Sequence, residues 1–173
     1  TTVGKSPKES GLEEGYPLYL ITQRDVTMTK SRTVVDYWLL SVLPENSIII
    51  NTLDAKKLDM KDGDRVKVTS ATNSDGIWDL KNGTKKAMIG KVKVTETIMP
   101  GVVTFFLGFG HWATGAGDVT IDGKVVKGDP RRATGVHANA AMWIDPYLKN
   151  TCMLDPVGGS VSFYDTKVKL VKV

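Results

Sequence analysis

The sequence predicts an all-β domain with short helical insertions, closed into a barrel. About seven short strand-like segments alternate with turn-forming clusters, and the helical segments between them are short. Several strands alternate Lys or Arg with Val, as in GKVKVTE and KVKLVKV, which is the pattern of a strand with one buried and one solvated face. Closure into a barrel would protect such strands from edge-to-edge pairing with other chains.

Size and composition limit the class of protein. A length of 173 residues with 41% hydrophobic content suits one domain with its own core. The sequence contains no run of 18 apolar residues, so it predicts no membrane-spanning helix. The net charge of +4 is small, and the lysines of the chain are spread along the predicted strands. We therefore predict no nucleic-acid partner.

Two further features concern the ends of the chain and its cysteine. Residues 1–15 are polar and lack an initiating Met, which predicts a flexible tail and a piece excised from a longer chain. The single Cys152 cannot form an internal disulfide, and we expect it to be buried and inert.

The elements follow in order along the chain. Strands are predicted at 18–22, 47–51, 65–69, 90–96, 102–107, 160–163 and 167–173. Residues 72–88 and 117–135 each predict a hairpin, the first with turns at Asp75-Gly76 and Asn82-Gly83 and the second around Asp122-Gly123. The remaining segments are a polar loop over 23–33, a short helix over 34–43 and an irregular region over 136–160.

The stretch NTLDAKKLDMKDGDRVKV, residues 51–68, predicts a short helix joined directly to a strand. Asn51 is a good N-cap, and Asp54 is an acidic residue in the first turn, where the helix dipole favours it. Gly63 provides the positive φ that ends the helix, and Arg65 begins the strand. On residue types alone, this unit needs no role beyond folding.

Taken together, these motifs resemble the C-terminal molybdopterin dinucleotide-binding domain of the dimethyl sulfoxide reductase family. The similarity covers residues 16–173. It depends on the loop LITQRDVTMTKSRT, the pattern N-x-x-D-A-x-x-L-x-x-x-D-G-D-x-V-x-V from Asn51 to Val68, the segment GKVKVTETIMPGVV and the Gly-rich GFGHW. The resemblance implies a double-psi β-barrel of the aspartate decarboxylase-like class, six strands in which two similar halves interlock.

The resemblance also implies a function for the longer protein. The segments GFGHWATGAGDVTIDGKVV and VHANAAMWIDPYLKNTCMLDPVGGSVSFYDTKVKL are most similar to catalytic subunits that act on oxidised sulfur or arsenic compounds, tetrathionate reductases first, with arsenate and polysulfide reductases as neighbours. Such enzymes are oxidoreductases of anaerobic respiration that carry molybdenum or tungsten on molybdopterin guanine dinucleotide. This domain would position the cofactor and would not be catalytic alone.

Further components and the location are implied by the resemblance in the same way. They are the rest of the catalytic subunit with an iron–sulfur cluster, a membrane anchor, and an iron–sulfur electron-transfer subunit. An exported, periplasmic or extracytoplasmic location at the membrane is expected through these partners.

The family motif implies that the loop after the first strand lines the pterin and the diphosphate. The residues concerned are Thr22, Gln23, Arg24, Asp25, Val26, Thr27, Thr29, Lys30 and Ser31. Their hydroxyl, amide and cationic groups are the donors that phosphate oxygens require. Met28 stands near the position where many members of the family have a His, and it cannot donate a hydrogen bond.

The remaining implied contacts are spread along the chain. They are Asn51 and Asp54 near the guanine, Gly110, His111 and Trp112 at the pterin, and Asn139 and Phe163 as late contacts. Either Asp54 or Asp25 could select guanine, because a carboxylate accepts from both N1–H and N2–H₂. Asp54 as a plain helix cap is the alternative. His111 and His137 alone make a poor metal pair, so no metal is assigned to protein ligands.

A different class of function fits the same fold. A stand-alone double-psi barrel could bind a protein partner or a nucleotide. The loop Thr22–Thr33 discriminates between the two hypotheses, because a protein-binding barrel has no need of its hydroxyls and Arg24. A nucleic-acid-binding barrel ranks lower, because no strand interleaves aromatic residues with Lys or Arg.

Overall fold

A closed six-stranded barrel forms the centre of the computed structural model, with strand order β1-β10-β3-β6-β2-β7. The structure describes residues 5–79, 83–112, 115–149, 151–155, 157–162, 164 and 166–173. Its strands are β1 (Leu18–Gln23), β2 (Ser47–Asn51), β3 (Arg65–Ser70), β4 (Ile77–Asp79), β5 (Lys85–Ala87), β6 (Ile89–Thr95), β7 (Val102–Phe106), β8 (Val119–Ile121), β9 (Lys124–Val126) and β10 (Lys167–Lys172). The predicted double-psi β-barrel class is confirmed.

Two parallel strand pairs decide which loops meet. β1 runs parallel to β7, with Tyr19 opposite Val102 and Gln23 opposite Phe106, and β2 runs parallel to β6. The other neighbouring pairs in the barrel are antiparallel. Because β1 and β7 end side by side, the loops that follow them leave the barrel at the same end.

The interior of the barrel is filled by alternate residues of the six strands. In β10, Val168 and Leu170 are buried while Lys169 is exposed, and in β6, Val92 is buried between exposed Lys91 and Lys93. Phe105 of β7 is completely buried. The alternation of Lys with Val in the sequence is therefore the alternation of the outer and inner faces of the barrel.

Short helices connect the strands. α1 (Tyr37–Val42) is capped by the Asp36 carboxylate, and α2 (Thr52–Lys57) by the Asn51 side chain. Three 3-10 helices cover Lys30–Val35, Pro130–Ala133 and Ala138–Ala140. No helix in the described part of the chain has the length and apolar character needed to cross a membrane.

Two predicted elements differ from the structure. The polar loop predicted over 23–33 ends in the 3-10 helix Lys30–Val35, because Met28 and Val34 are buried against Leu40 and Phe109 and draw the segment inward. The strand predicted over 160–163 is, in its described residues, a single bridge of Val161 to Leu154.

Both predicted hairpins are present, as β4 with β5 and β8 with β9. Asn82, in one predicted turn, lies outside the described residues. The flexibility of residues 1–15 stays a prediction, but the described part of this segment contacts the domain. Leu12 is buried against Trp143 and Met153, and Glu13 lies 2.6 Å from the ammonium of Lys167.

A buried amide, Asn46, joins the end of β7 to a later loop. Its Nδ2 donates to the carbonyls of Phe106 (2.7 Å) and Val136 (2.9 Å), and its Oδ1 accepts from the Val136 N–H (2.8 Å). Asn46 is 1% exposed, so water cannot replace these bonds. Asn46 therefore helps to hold the loop that contains Val136 against the barrel end.

We expect Asn46→Ala to lower the free energy of unfolding by about 3 kcal/mol or more, because three hydrogen bonds are lost and their buried partners stay unsatisfied. Urea denaturation measures the change. Asn139→Ala is the control, because Asn139 is exposed and its loss should change stability by no more than about 0.5 kcal/mol. Equal unfolding midpoints for the two variants would contradict the role of Asn46.

Candidate functional site

The loop after β1 has a fixed base and an exposed upper surface. Asp25 Oδ1 accepts from the Thr27 N–H at 2.8 Å and from the Thr27 hydroxyl, which forms a local turn. Met28, next in the chain, is completely buried. Val26, between these anchored residues, is 97% exposed. Position 28 of this loop is therefore occupied by a core residue, packed with Val34, Leu40 and Phe109.

Polar groups suited to an anion are available along this loop. Gln23, Arg24, Thr29 and Lys30 are exposed, and Thr22 and Ser31 are half-buried. Within the described part of the chain, the side chains of these six residues have no hydrogen bond or ion pair to another residue. These donors therefore remain available for a ligand.

Gly108 brings the Gly-rich loop into direct backbone contact with the loop after β1. Its φ is +97°, and a Cβ at this position would lie 2.6 Å from the Lys30 carbonyl carbon and oxygen. The neighbouring Leu107 N–H donates to the Gln23 carbonyl at 2.9 Å. Only glycine allows this approach, so residues 29–31 and 108–112 share one surface.

Gly110 makes the same kind of contact with a third loop. Its N–H donates to the Thr134 carbonyl at 2.7 Å, and a Cβ there would lie 2.5 Å from the His137 backbone nitrogen. The loop that Asn46 holds at Val136 thus packs against the Gly-rich loop. Three loops meet at one end of the barrel.

At this junction five side chains form what we call the basic ring: Trp78, Lys86, His111, Trp112 and His137. Trp78 of β4 and Lys86 of β5 are cross-strand partners. Trp78 stacks on His137 at 4.4 Å between ring centroids, and the rings of His137 and His111 are 4.1 Å apart. The ring closes through Trp112, whose indole lies 5.9 Å from the Lys86 ammonium.

The basic ring contains three groups that can carry positive charge. Burial lowers the pKa of His137 to about 4, and the nearby His111 and Lys86 act in the same direction. Burial, together with Lys86, also lowers the pKa of His111, and burial alone lowers that of Lys86. Both imidazoles are therefore neutral near pH 7.

Asn139 lies two residues beyond the basic ring. It is exposed, at the edge of an open cavity of about 390 Å³. The cavity is lined by Asn139, Met142, Trp143, Ile144, Thr151, Cys152 and Val161. Cys152, expected to be buried, is half-buried there.

Asn51 and Asp54 lie at the opposite end of the barrel. Asn51 Oδ1 accepts from the Leu53 N–H at 2.8 Å and its Nδ2 donates to the Ile98 carbonyl at 2.7 Å. Asp54 is 5% exposed, and its Oδ2 accepts from the Gly101 N–H at 2.6 Å. Their roles at guanine stay predictions, while these contacts hold α2 to the turn before β7.

The structure therefore brings together most of the predicted site residues, but not all. Residues 22–31 and 110–112 share one end of the barrel, Asn139 follows the third loop, Asn51 and Asp54 are remote, and Phe163 lies outside the described residues. Sequence reasoning missed Asn46, Trp78 and Lys86. For Trp78 and Lys86, the predicted hairpin over 72–88 was the available signal, because cross-strand pairing places them on one face.

Comparisons with known proteins give a consistent class. No protein-family model matches the chain. A selenate reductase subunit from Mesobacillus selenatarsenatis is 45% identical over 156 residues, which cover 90% of this chain and 15% of that protein. A tetrathionate reductase subunit from Salmonella typhimurium is 26% identical over 160 residues, which cover 91% of this chain and 14% of that protein.

Two more matches extend the comparison. The molybdopterin-containing subunit of an arsenate respiratory reductase from a Shewanella species is 29% identical over 119 residues, covering 64% of this chain and 12% of that protein. The solved structure of acetylene hydratase from Pelobacter acetylenicus superposes with a TM-score of 0.62 and 17% identity, covering 98% of this chain and 20% of that one; this likeness concerns the fold alone.

The barrel and these relatives define the chain as a domain homologous to part of molybdopterin-enzyme catalytic subunits. Its homologues are catalytic subunits of the dimethyl sulfoxide reductase family, and the predicted resemblance is confirmed. The chain spans about 15% of the length of the selenate reductase subunit, and 14% of the length of the tetrathionate reductase subunit.

The contact of Asp54 can be separated from a role at guanine. We expect Asp54→Ala to lower the free energy of unfolding by about 2 kcal/mol, because the Gly101 N–H loses a charged acceptor. Asp54→Asn is the matched control, since its amide oxygen still accepts, and should lose less. Urea denaturation compares the two variants. An Asp54→Ala variant as stable as the wild type would contradict the structural role.

The neutral state of His137 predicts a pH dependence of stability. Its pKa is about 4 in the folded protein and near the ordinary 6.5 when unfolded, so only the unfolded state takes up the proton between these values. The free energy of unfolding should fall as the pH is lowered from about 6.5 to about 4. Urea denaturation at both ends of this range should show a smaller fall for His137→Gln, and equal falls would contradict the assignment.

Proposed function

We propose that this chain holds the molybdopterin guanine dinucleotide cofactor, with molybdenum or tungsten, in the catalytic subunit of an oxidoreductase. The observation that carries the proposal is the meeting of three loops at one barrel end. There, unpaired donors of residues 22–31 lie beside the glycines of residues 108–110.

The residues present fit such a cofactor. Arg24 and Lys30 supply positive charge for phosphates, and the hydroxyls of Thr29 and Ser31 supply hydrogen bonds. The tight backbone contacts of Gly108 and Gly110 set the distance between the three loops and leave no side chain between them. When bound, the cofactor supplies the redox chemistry through its metal.

The residues of this domain would bind and orient the cofactor and would not carry out the chemistry themselves. Thr22 and Gln23, at the end of β1, have fixed backbone positions because they pair with Phe105 and Phe106 of β7. Asp25 and Val26 belong to the anchored turn that presents the loop. His111 and Trp112 would form the wall toward the pterin, and Asn139 would extend it.

The guanine contact is better served by Asp25 than by Asp54. Asp25 lies at the same barrel end as the cationic donors, and its Oδ2 has no hydrogen-bond partner among the described residues. Asp54 is remote and its carboxylate already accepts from Gly101. A carboxylate beside the loop could accept from guanine N1–H and N2–H₂.

For the whole protein we propose reduction of an oxidised chalcogen or arsenic oxyanion. The identity of 45% with the selenate reductase subunit favours selenate, ahead of tetrathionate with 26% identity. Tetrathionate as substrate stays a prediction, as do the iron–sulfur cluster, the electron-transfer and membrane-anchor partners, and an exported location. They follow from the family and not from residues of this chain.

The test is the cofactor content of the native full-length subunit. We expect bound molybdenum or tungsten together with GMP released by acid, and activity toward selenate exceeding that toward tetrathionate or arsenate. Arg24→Ala and Lys30→Ala should each reduce cofactor retention about tenfold, equivalent to about 1.4 kcal/mol per lost phosphate contact.

Lys56→Ala is the matched control, because Lys56 is an exposed lysine of α2 at the other end of the barrel. It should retain the cofactor like the wild type. A native subunit with neither metal nor GMP, or equal losses in all three variants, would overturn the proposal.

A further inference from the structure

In the basic ring, the Lys86 ammonium has no counter-charge among the described residues, and two neutral imidazoles lie near it. Lys86 is half-buried, and in the described part of the chain its ammonium meets only the Ala133 carbonyl and the face of Trp112. No described carboxylate forms an ion pair with it or a hydrogen bond with either histidine. Burying an ammonium without an opposite charge is costly, so the arrangement is incomplete as it stands.

A second, independent observation indicates the missing group. The indole Nε1–H of Trp112 is buried and has no acceptor in the described residues. A buried donor of this kind costs about 1–3 kcal/mol when it stays unsatisfied. An acceptor that carried negative charge would satisfy both the indole N–H and the ammonium.

We propose that Lys86, His111, His137 and the indole N–H of Trp112 form a binding site for an oxyanion, and that one imidazole takes a proton from solvent as the anion enters. The ligand is a tetrahedral dianion, either a free oxyanion or the phosphoryl group of a nucleotide. The proposal stands without the proposed function, because a free oxyanion would meet the same groups.

Proton uptake follows from the surroundings of the two imidazoles. Lys86 lowers the pKa of both imidazoles and His111 also lowers that of His137, while among the described residues a hydrogen bond with the Phe109 carbonyl favours protonation of His137. Without an anion, both pKa values are held below the ordinary value. A bound dianion reverses this balance, so binding should strengthen as the pH falls.

Trp78 has a positioning role in this site. Its indole stacks on His137 at an interplanar angle of 28° and meets His111 edge-on at 6.3 Å. Because Trp78 and Lys86 are paired across β4 and β5, the hairpin carries both the aromatic support and the ammonium. The anion site is thus assembled between the hairpin and the two loops that Gly110 brings together.

The test is calorimetric titration of the 173-residue chain with sulfate at constant ionic strength. Sulfate stays a dianion across the range used, so any pH dependence comes from the protein. We expect uptake of about one proton per sulfate, measured from two buffers of different ionisation enthalpy, and a Kd that rises up to about tenfold per pH unit above the imidazole pKa.

Matched variants separate the site from general surface charge. Lys86→Met should weaken sulfate binding at least about tenfold, whereas Lys85→Met should leave it unchanged, because Lys85 is exposed and lies 3.6 Å from Asp79. Trp112→Phe keeps an aromatic ring while removing the donor, and it should also weaken binding. The Trp112→Phe variant therefore still tests the site if the Lys86→Met variant does not fold.

The absence of sulfate binding, binding without proton uptake, or equal weakening by Lys85→Met and Lys86→Met would each overturn the proposal.

Guanosine diphosphate then assigns the source of the anion. If guanosine diphosphate displaces sulfate, and Arg24→Ala weakens the binding of guanosine diphosphate but not that of sulfate, the site takes a phosphoryl group of a nucleotide. If it leaves sulfate binding unchanged, the site takes a free oxyanion. Both results support an oxyanion site, and neither depends on metal content.

Discussion

The candidate site depends on one buried amide. Asn46 ties the end of β7, at Phe106, to Val136, in a segment far away along the chain. His137 follows Val136 directly, and its backbone lies against Gly110. The position of the third loop therefore depends on hydrogen bonds to the Asn46 side chain and on the Gly110 N–H, and not on a sheet ladder. A loop held in this way can differ in sequence and length while its anchor stays in place, which suits a segment that shapes a ligand site.

The strand order of the barrel sets a second constraint, the direction in which the loops leave it. Because β1 and β7 are parallel neighbours, their following loops must emerge together, and a hairpin-connected antiparallel pair would have separated them. Gly108 and Gly110 then convert proximity into backbone contact, since a side chain at either position would collide with Lys30 or His137. The strand topology places the loops at one end of the barrel, and the two glycines allow their backbones to come into contact. Neither constraint would suffice alone.

The sequence predicted the barrel strands well because their alternation of Lys with Val reports directly on two faces of a strand. It also predicted the Gly-rich loop and the hydroxyl-rich loop as one site, through family resemblance. It could not show that Asn51 and Asp54 lie at the opposite end, because helix capping and ligand binding call for the same residue types. Nor could it show that His111 and His137 meet Trp78 of the predicted hairpin, since the two histidines are remote from it in sequence and meet it only through tertiary contacts.

The distribution of charge connects the two proposals. Some exposed lysines of the barrel have carboxylate partners, as Lys91 has Glu45 and Lys172 has Asp64. At the junction of the three loops, Arg24 and Lys30 are exposed without described partners, and Lys86 is half-buried without one. Three cations without ion-pair partners in the described residues raise the positive potential at this junction. The buried, unsatisfied indole donor of Trp112 lies beside Lys86, so charge and hydrogen bonding independently favour an anion there.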